Sequence, residues 1–191
     1  MANRKKNFRL DVLHGKIKPE KDDYEAKLRN KIFLHQQIVI KRARNSNQNT
    51  MLRLFAYEMP LKENISRGNC VDLVGYDKVY NLYLIELKRG DNSQGLSKVI
   101  AEINGYETIV RNIVNNIEQD FENVFYFPIC FKKIKKIILA PKKYYERQRH
   151  EDIDTTIEYL YFEDDRIVDR TLEAEKTWKP ISLHVFKAWY R

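Results

Sequence analysis

The stretch Leu82-Tyr83-Leu84-Ile85-Glu86-Leu87-Lys88 limits what this chain can fold into more than any other. It is too short for a typical helix, and its nearly continuous apolar character marks a strand buried on both faces. A second β-rich run, Cys70 to Gly75, comes before it. Only Tyr76-Asp77-Lys78-Val79 separates that run from the start of the next at Tyr80. Two strands so closely spaced form a hairpin. After Arg89-Gly90-Asp91-Asn92-Ser93, apolar residues at Leu96, Val99, Ile100, Ile103, Val110, Ile113, Val114 and Ile117 predict a long amphipathic helix from about Gln94 to Gln119.

The remaining elements build outward from that unit. Pro19 and the acidic residues after it predict a helix from Glu20 to His35. Arg44 to Thr50 reads as a polar loop, Met51 to Met59 as a strand ended by Pro60, and Leu61 to Asn69 as a loop. Further on, Ile134 to Ala140 reads as a buried strand stopped by Pro141. A short helix near Lys143 to Arg149 and a strand from Thr156 to Phe162 follow, with one more strand or helix between Ile181 and Tyr190. The order is α-β-β-β-α-β-α-β, an α/β domain with a mixed sheet. No repeat, low-complexity stretch or Gly/Ser-rich linker divides the chain. A single domain over residues 1–191 is expected, with a basic arm (1–18), a core (20–140) and a C-terminal extension (141–191).

Charge inside the two central strands is the chemical signal. Side chains alternate along a strand, so Glu86 and Lys88 share a face while Leu87 points into the other layer. Burying a carboxylate and an ammonium is costly unless they pair or bind a metal. Asp72 is the only charged residue from Cys70 to Tyr76, and in a hairpin it can approach Glu86 across the ladder. Two carboxylates and the Leu87 carbonyl make a hard oxygen site suited to Mg2+ or Mn2+. A lysine beside it could orient a water or stabilise charge on a phosphate, as metal-dependent phosphodiester hydrolysis requires.

Asp72, 13 intervening residues and then Glu86-Leu87-Lys88 resemble the PD-(D/E)XK nuclease superfamily. The wording Val71-Asp72-Leu73-Val74-Gly75 and Leu84-Ile85-Glu86-Leu87-Lys88-Arg89-Gly90 is similar to its prokaryotic, repair- and defence-type branches. The likeness runs from the helix at Glu20 to the strand ending at Ala140. It implies a restriction-endonuclease-like core, a mixed β-sheet flanked by helices in the order α-β-β-β-α-β, with C-terminal additions. It also implies a Mg2+-dependent nuclease, an endonuclease acting on DNA in preference to RNA, in which Mn2+ substitutes. Asp72, Glu86 and the Leu87 carbonyl would hold the metal, and Lys88 would act on the attacking water. An acid from the first helix often completes such a site. Glu25, on the stripe of Leu28 and Ile32, is the candidate, with Glu20 its competitor; Glu58 shares strand parity with Leu54 and Ala56. Some branches carry Gln-x-x-x-Tyr in the following helix, where this chain has Glu102 and Tyr106. Val71 stands where the family name has Pro. Arg89, Lys132, Lys133, Lys135 and Lys136 are the candidate substrate contacts. The alternative reading is a catalytically silent nucleic-acid-binding or interaction module on the same fold, against which the intact Asp, Glu and Lys argue.

Composition bears on partners and compartment. Lys and Arg number 35 against 27 Asp and Glu, a formal +8 that favours a polyanionic partner. Eight bases and one acid between Lys132 and Arg149 read as the rim of a phosphate-binding cleft or as a solvated face; ten acids and three bases follow over 151–176. No apolar run has the roughly 18–20 residues of a membrane span, and Phe8 to Lys18 has no signal-type apolar core. Cys70 and Cys130 form no metal-type pair, and their neighbours suggest buried strand positions, with free thiols in a reducing cytoplasm. The four scattered histidines give a zinc site little support. With no visible recognition domain, a homodimer or a larger repair or defence complex is left open.

Overall fold

The computed structural model describes residues 24–41, 49–61, 70–148, 153–162 and 181–185. The expected basic arm, Glu20 and most of the acidic stretch 151–176 lie outside them. The elements are α1 (Tyr24–Leu34), β1 (Gln37–Lys41), β2 (Thr50–Pro60), β3 (Cys70–Asp77), β4 (Leu82–Leu87), α2 (Leu96–Phe125), β5 (Ile134–Pro141), α3 (Lys142–Glu146), β6 (Ile157–Phe162) and β7 (Ile181–Val185). The architecture is mixed α/β, a mixed sheet with flanking helices.

From β1 to β4 the strands pair antiparallel in chain order. Then β4, β5 and β6 run parallel, joined by crossovers that contain α2 and α3. Strand β7 pairs antiparallel with β6 over two residue pairs and parallel with β1, so the described strands close into a barrel. The hairpin read from the sequence is β3–β4, with Leu73 opposite Ile85 and Val74 opposite Leu84. Asp77 builds its turn. One carboxylate oxygen accepts from the Val79 and Asn81 amides at 3.0 and 2.9 Å, and the other from the Asn81 side chain at 2.8 Å and the Tyr83 hydroxyl at 3.1 Å.

Strand alternation divides the core in two. Leu82 and Leu84 of β4 join α2, with Val99, Ile103, Val110, Ile117 and Phe121, and Ile138 and Ala140 of β5. Tyr83, Ile85 and Leu87 face the other way, into a cluster with Leu28, Ile32 and Phe33 of α1 and residues from β1 to β6. Helix α2 begins without a side-chain cap of its own. The Leu96 amide donates instead to Gln148 Oε1 at 2.9 Å, 52 residues away. Its far end stops at Tyr126, whose left-handed φ of 54° turns the chain.

Three sequence expectations need correction. Strand β1 was not anticipated: Gln36, at φ 52°, ends the helical segment abruptly, and Gln37-Ile38-Val39-Ile40-Lys41 alternates into the core with no glycine or proline to announce it. The long helix runs on to Phe125, because Phe121 and Phe125 pack on the core beyond the expected end at Gln119. Cys130 is exposed and lies in no strand, and Cys70, at the start of β3, is half-buried; both are free thiols.

Candidate functional site

The register of three strands lines up three acids. Extending the β3–β4 pairing by one residue sets Asp72 opposite Glu86, and Glu58 falls opposite Asp72 between the pairs Tyr57–Leu73 and Met59–Val71. Strand parity is not what brings Glu58 there. A bulge between Leu54 and Ala56 breaks the alternation, so Leu54 packs in the α1 cluster and Ala56 in the α2 cluster. Glu58 itself sits at φ 41°, a costly conformation for a residue with a Cβ, and one of the kind that gathers at functional sites.

Lys88 and Glu86 share a face, as alternation requires. The Lys88 ammonium donates to Glu86 Oε1 at 2.6 Å, with the two residues only 5% and 3% exposed. Glu86 Oε2 is buried and makes no hydrogen bond among the described residues. Asp72 Oδ2 accepts from the Leu87 amide at 2.9 Å, which locks β3 to the end of β4. Its Oδ1 accepts from Arg29 of α1 at 3.2 Å, and the other arm of that guanidinium binds Glu58. Helix α2 closes the opposite side: Glu102 Oε2 lies 3.8 Å from Lys88 Nζ, and the Tyr106 hydroxyl donates to Glu102 Oε1 at 2.9 Å. Glu102 therefore gives Lys88 a second carboxylate partner.

Five carboxylates, Glu25, Glu58, Asp72, Glu86 and Glu102, thus surround two cations, Arg29 and Lys88. Burial pushes Glu86 well above the usual carboxylate range, and the charge of Asp72 pushes it further against the pull of Lys88. Burial raises Asp72 as well, opposed by Arg29. Burial alone would lower the Lys88 ammonium, but Glu86 and the other carboxylates outweigh it and hold Lys88 above its ordinary value. Glu25 is raised by burial and then by Asp72. Burial, then the charges of Glu86 and Glu102, raises the Tyr106 phenol, so it remains a donor. A cavity of about 260 Å³ opens beside Glu25, lined also by Arg89, Asp91, Asn92 and Ser93.

No group of three or more His, Cys, Asp or Glu side chains among the described residues stands as a metal site in this arrangement. The donor set still suits a hard cation. It offers carboxylate oxygens from adjacent strands, one of them buried without a hydrogen bond, and an excess of negative charge held at the cost of burial.

The basic residues expected to line the site divide. Arg89 borders the cavity and pairs with Asp91 at 2.8 Å. Lys132 and Lys133 do not reach it: β5 is parallel to β4, so the start of β5 meets the start of β4, where the Lys132 amide donates to the Tyr80 carbonyl and the Leu82 amide to the Lys133 carbonyl. Six residues of β4 put them on the order of 20 Å from Lys88. Lys135 binds the Tyr83 hydroxyl at 3.1 Å and covers its ring. Lys136 is buried, held by Glu107, Asn104 and Thr156 at 2.7–2.8 Å.

Arg29 is the site residue that sequence reasoning missed. Its signal was available: an arginine one turn after Glu25 and beside Leu28, on a stripe that also carries Ile32 and Phe33. Asn92 and Gln94 also contribute, donating to Glu25 and Glu102 at 3.5 and 3.3 Å. Compared with known proteins, the chain matches no family model, no curated protein and no solved structure.

Proposed function

We propose that this protein is a metal-dependent nuclease that hydrolyses phosphodiester bonds, with DNA the favoured substrate. In this reading α1, β2–β4, α2 and β5 correspond to a restriction-endonuclease-like core, and β1 and the elements after β5 are additions to it. The observation that carries the proposal is Asp72 opposite Glu86 on neighbouring strands, with the Lys88 ammonium 2.6 Å from Glu86 and the second Glu86 oxygen buried without a hydrogen bond. A purely structural ion pair would not need two further carboxylates around one lysine.

Asp72, Glu86 and the Leu87 carbonyl would hold a Mg2+ or Mn2+ ion, with Glu25 of α1 a further acid beside them. Such an ion, when bound, supplies Lewis-acid chemistry, polarising phosphate and acidifying water. The chain's own groups do the rest. Lys88 is held protonated by its carboxylate neighbours, so it acts by charge and hydrogen bonding, orienting a water or stabilising negative charge on phosphate, rather than by accepting a proton. Glu102 and Tyr106 hold that ammonium in place from α2. Arg29 fixes Asp72 from the α1 side, and Arg89 offers a cation at the mouth of the cavity.

Purified protein is incubated with supercoiled, linear and single-stranded DNA and with RNA, in Mg2+, Mn2+ or EDTA. Cleavage that needs the metal and is lost in Glu86→Gln and Lys88→Ala supports the proposal. Cleavage at the parental rate in the double variant refutes the assigned site. Binding without cleavage under every condition favours a silent nucleic-acid-binding module instead.

A further inference from the structure

Among the described residues, five of the six exposed large apolar side chains gather at the end of the sheet away from Lys88. Met51, Val79, Tyr80, Tyr126 and Phe127 lie there, and only Leu34 lies elsewhere. The pairing of Leu52 with Asp77 brings Met51 beside the β3–β4 turn, which carries Val79 and Tyr80. The Lys132 amide holds the Tyr80 carbonyl at 2.9 Å, tying that turn to the start of β5.

A chain of packed rings backs this end of the protein. Tyr80 stacks on Tyr76 at 6.3 Å and 19°, and Tyr76 meets Phe121 edge-on at 5.7 Å. Phe121 touches Phe125 at 4.5 Å. The chain then emerges as Tyr126, 91% exposed, and Phe127. Two of the residues are fixed in left-handed backbone, Tyr80 at φ 63° and Tyr126 at φ 54°. That backbone serves the β3–β4 turn at Tyr80 and the end of α2 at Tyr126, but neither role calls for an aromatic side chain, and the Tyr126 ring is left in solvent. Around them Lys78, Lys132 and Lys133 are exposed. On the acidic side, Glu118 accepts from the Phe131 amide at 2.6 Å and is half-buried, as is Asp120, and Glu122 is exposed on the last turn of α2, so the exposed lysines outnumber the exposed acids.

We infer that this end of the protein is a binding site for single-stranded nucleic acid, with Tyr80, Tyr126 and Phe127 as the stacking surface and Lys78, Lys132 and Lys133 as phosphate contacts. Outward-facing rings interleaved with lysines are what unpaired bases on a phosphate chain require. A second copy of this chain fits less well, because a two-fold contact would set the lysines against themselves. The site is separate from the Asp72–Glu86–Lys88 cluster and stands independently of the nuclease reading.

The test is fluorescence anisotropy of the full chain with labelled oligothymidylate and oligouridylate, in EDTA so that no cleavage intervenes. Tyr126→Ser and Phe127→Ser should each weaken binding by about fivefold or more. Tyr80→Asn, which keeps a residue suited to positive φ, should do the same. Lys78→Gln, Lys132→Gln and Lys133→Gln together should flatten the slope of log K against log salt by about 2. Arg111→Gln, elsewhere on α2, should change neither, and circular dichroism melts check that every variant is folded. No binding by the parent, or parental affinity in the double aromatic variant, overturns the inference. So does concentration-dependent self-association in sedimentation that the aromatic variants abolish, since the surface would then be a contact between copies.

Discussion

Replacing Asp72 by Asn should make the metal-free protein more stable while removing its response to metal. Asp72 feels Arg29 at 3.2 Å, an attraction of about 5 kcal/mol at an effective dielectric of 20, with Lys88 adding a smaller one. Glu58 and Glu86 flank it on the neighbouring strands, and if their charges stand at the cross-strand spacing of about 5 Å, each repels it by about 3 kcal/mol at that dielectric. These terms come within about 1–2 kcal/mol of cancelling, so the cost of burying the carboxylate, several kcal/mol per ion, decides the sign. Asparagine keeps an oxygen for the Leu87 amide, and Arg29 keeps Glu58. A gain of about 1–2 kcal/mol is expected in EDTA, which raises the melting temperature by about 3 °C per kcal/mol in a chain of this size. The assay is a thermal melt of parent and variant in EDTA and in saturating Mg2+ or Mn2+. Metal at 100 times its dissociation constant should stabilise the parent by about 2.7 kcal/mol and the variant by far less. A variant several degrees less stable than the parent in EDTA would show that Asp72 is a stabilising ion-pair partner and refute the reasoning.

Other perturbations follow from the same geometry. Lys136→Met should destabilise the fold by about 3 kcal/mol in urea titration, because Glu107, Asn104 and Thr156 lose a buried cation; parental stability would mean that the network contributes nothing net. Burial works to raise Asp77, but its four hydrogen bonds, led by the Asn81 amide, outweigh that and hold it below its ordinary value. Its contribution is therefore complete above the unfolded value near 3.8 and is lost as pH falls through the lower folded value. Asp77→Asn should cost about 1–3 kcal/mol at neutral pH, and its stability curve should converge with the parent's in acid. Gly75→Ala should cost about 1–3 kcal/mol by chemical denaturation, since its Cβ would stand 2.7 Å from the Arg53 carbonyl oxygen in a ladder that cannot give way.

What the sequence made legible was whatever period and composition dictate locally. The β3–β4 hairpin, the α2 stripe and the shared face of Glu86 and Lys88 follow from alternation and helical spacing, and each is where those rules put it. The misses arose where a local irregularity or a distant partner decides. Strand β1 is five residues long and is secured by β2 and β7 rather than by its own signals. Glu58, named as a candidate, reaches the site through a bulge and a left-handed residue rather than through the strand parity that suggested it. Arg29 looked like part of an amphipathic helix until the sheet brought Asp72 and Glu58 within its reach.

The basic stretch from Lys132 to Arg149 shows how topology converts a charge run into two surfaces. As a sequence it is one block, and a single phosphate-binding rim was the natural functional reading. Strand β5 passes through the middle of it, however, and strands are nearly straight. Lys132 and Lys133 precede the strand; Lys142, Lys143 and Arg147 follow it. Since β5 lies parallel to β4, the later group comes out at the end of the sheet where Lys88 lies, on α3, whose Tyr144 hydroxyl donates to the Gln94 carbonyl at 3.0 Å. Lys142, Lys143 and Arg147 are exposed there, and they are the better candidates for phosphate contacts near the acidic cluster. If both groups engage one polyanion, weakening either should lower affinity, but only the α3 group should alter cleavage of a bound substrate. Measuring affinity and single-turnover cleavage in parallel for Lys142→Gln/Lys143→Gln and Lys132→Gln/Lys133→Gln separates the two. Equal loss of cleavage in both pairs would mean that the strand does not divide their roles.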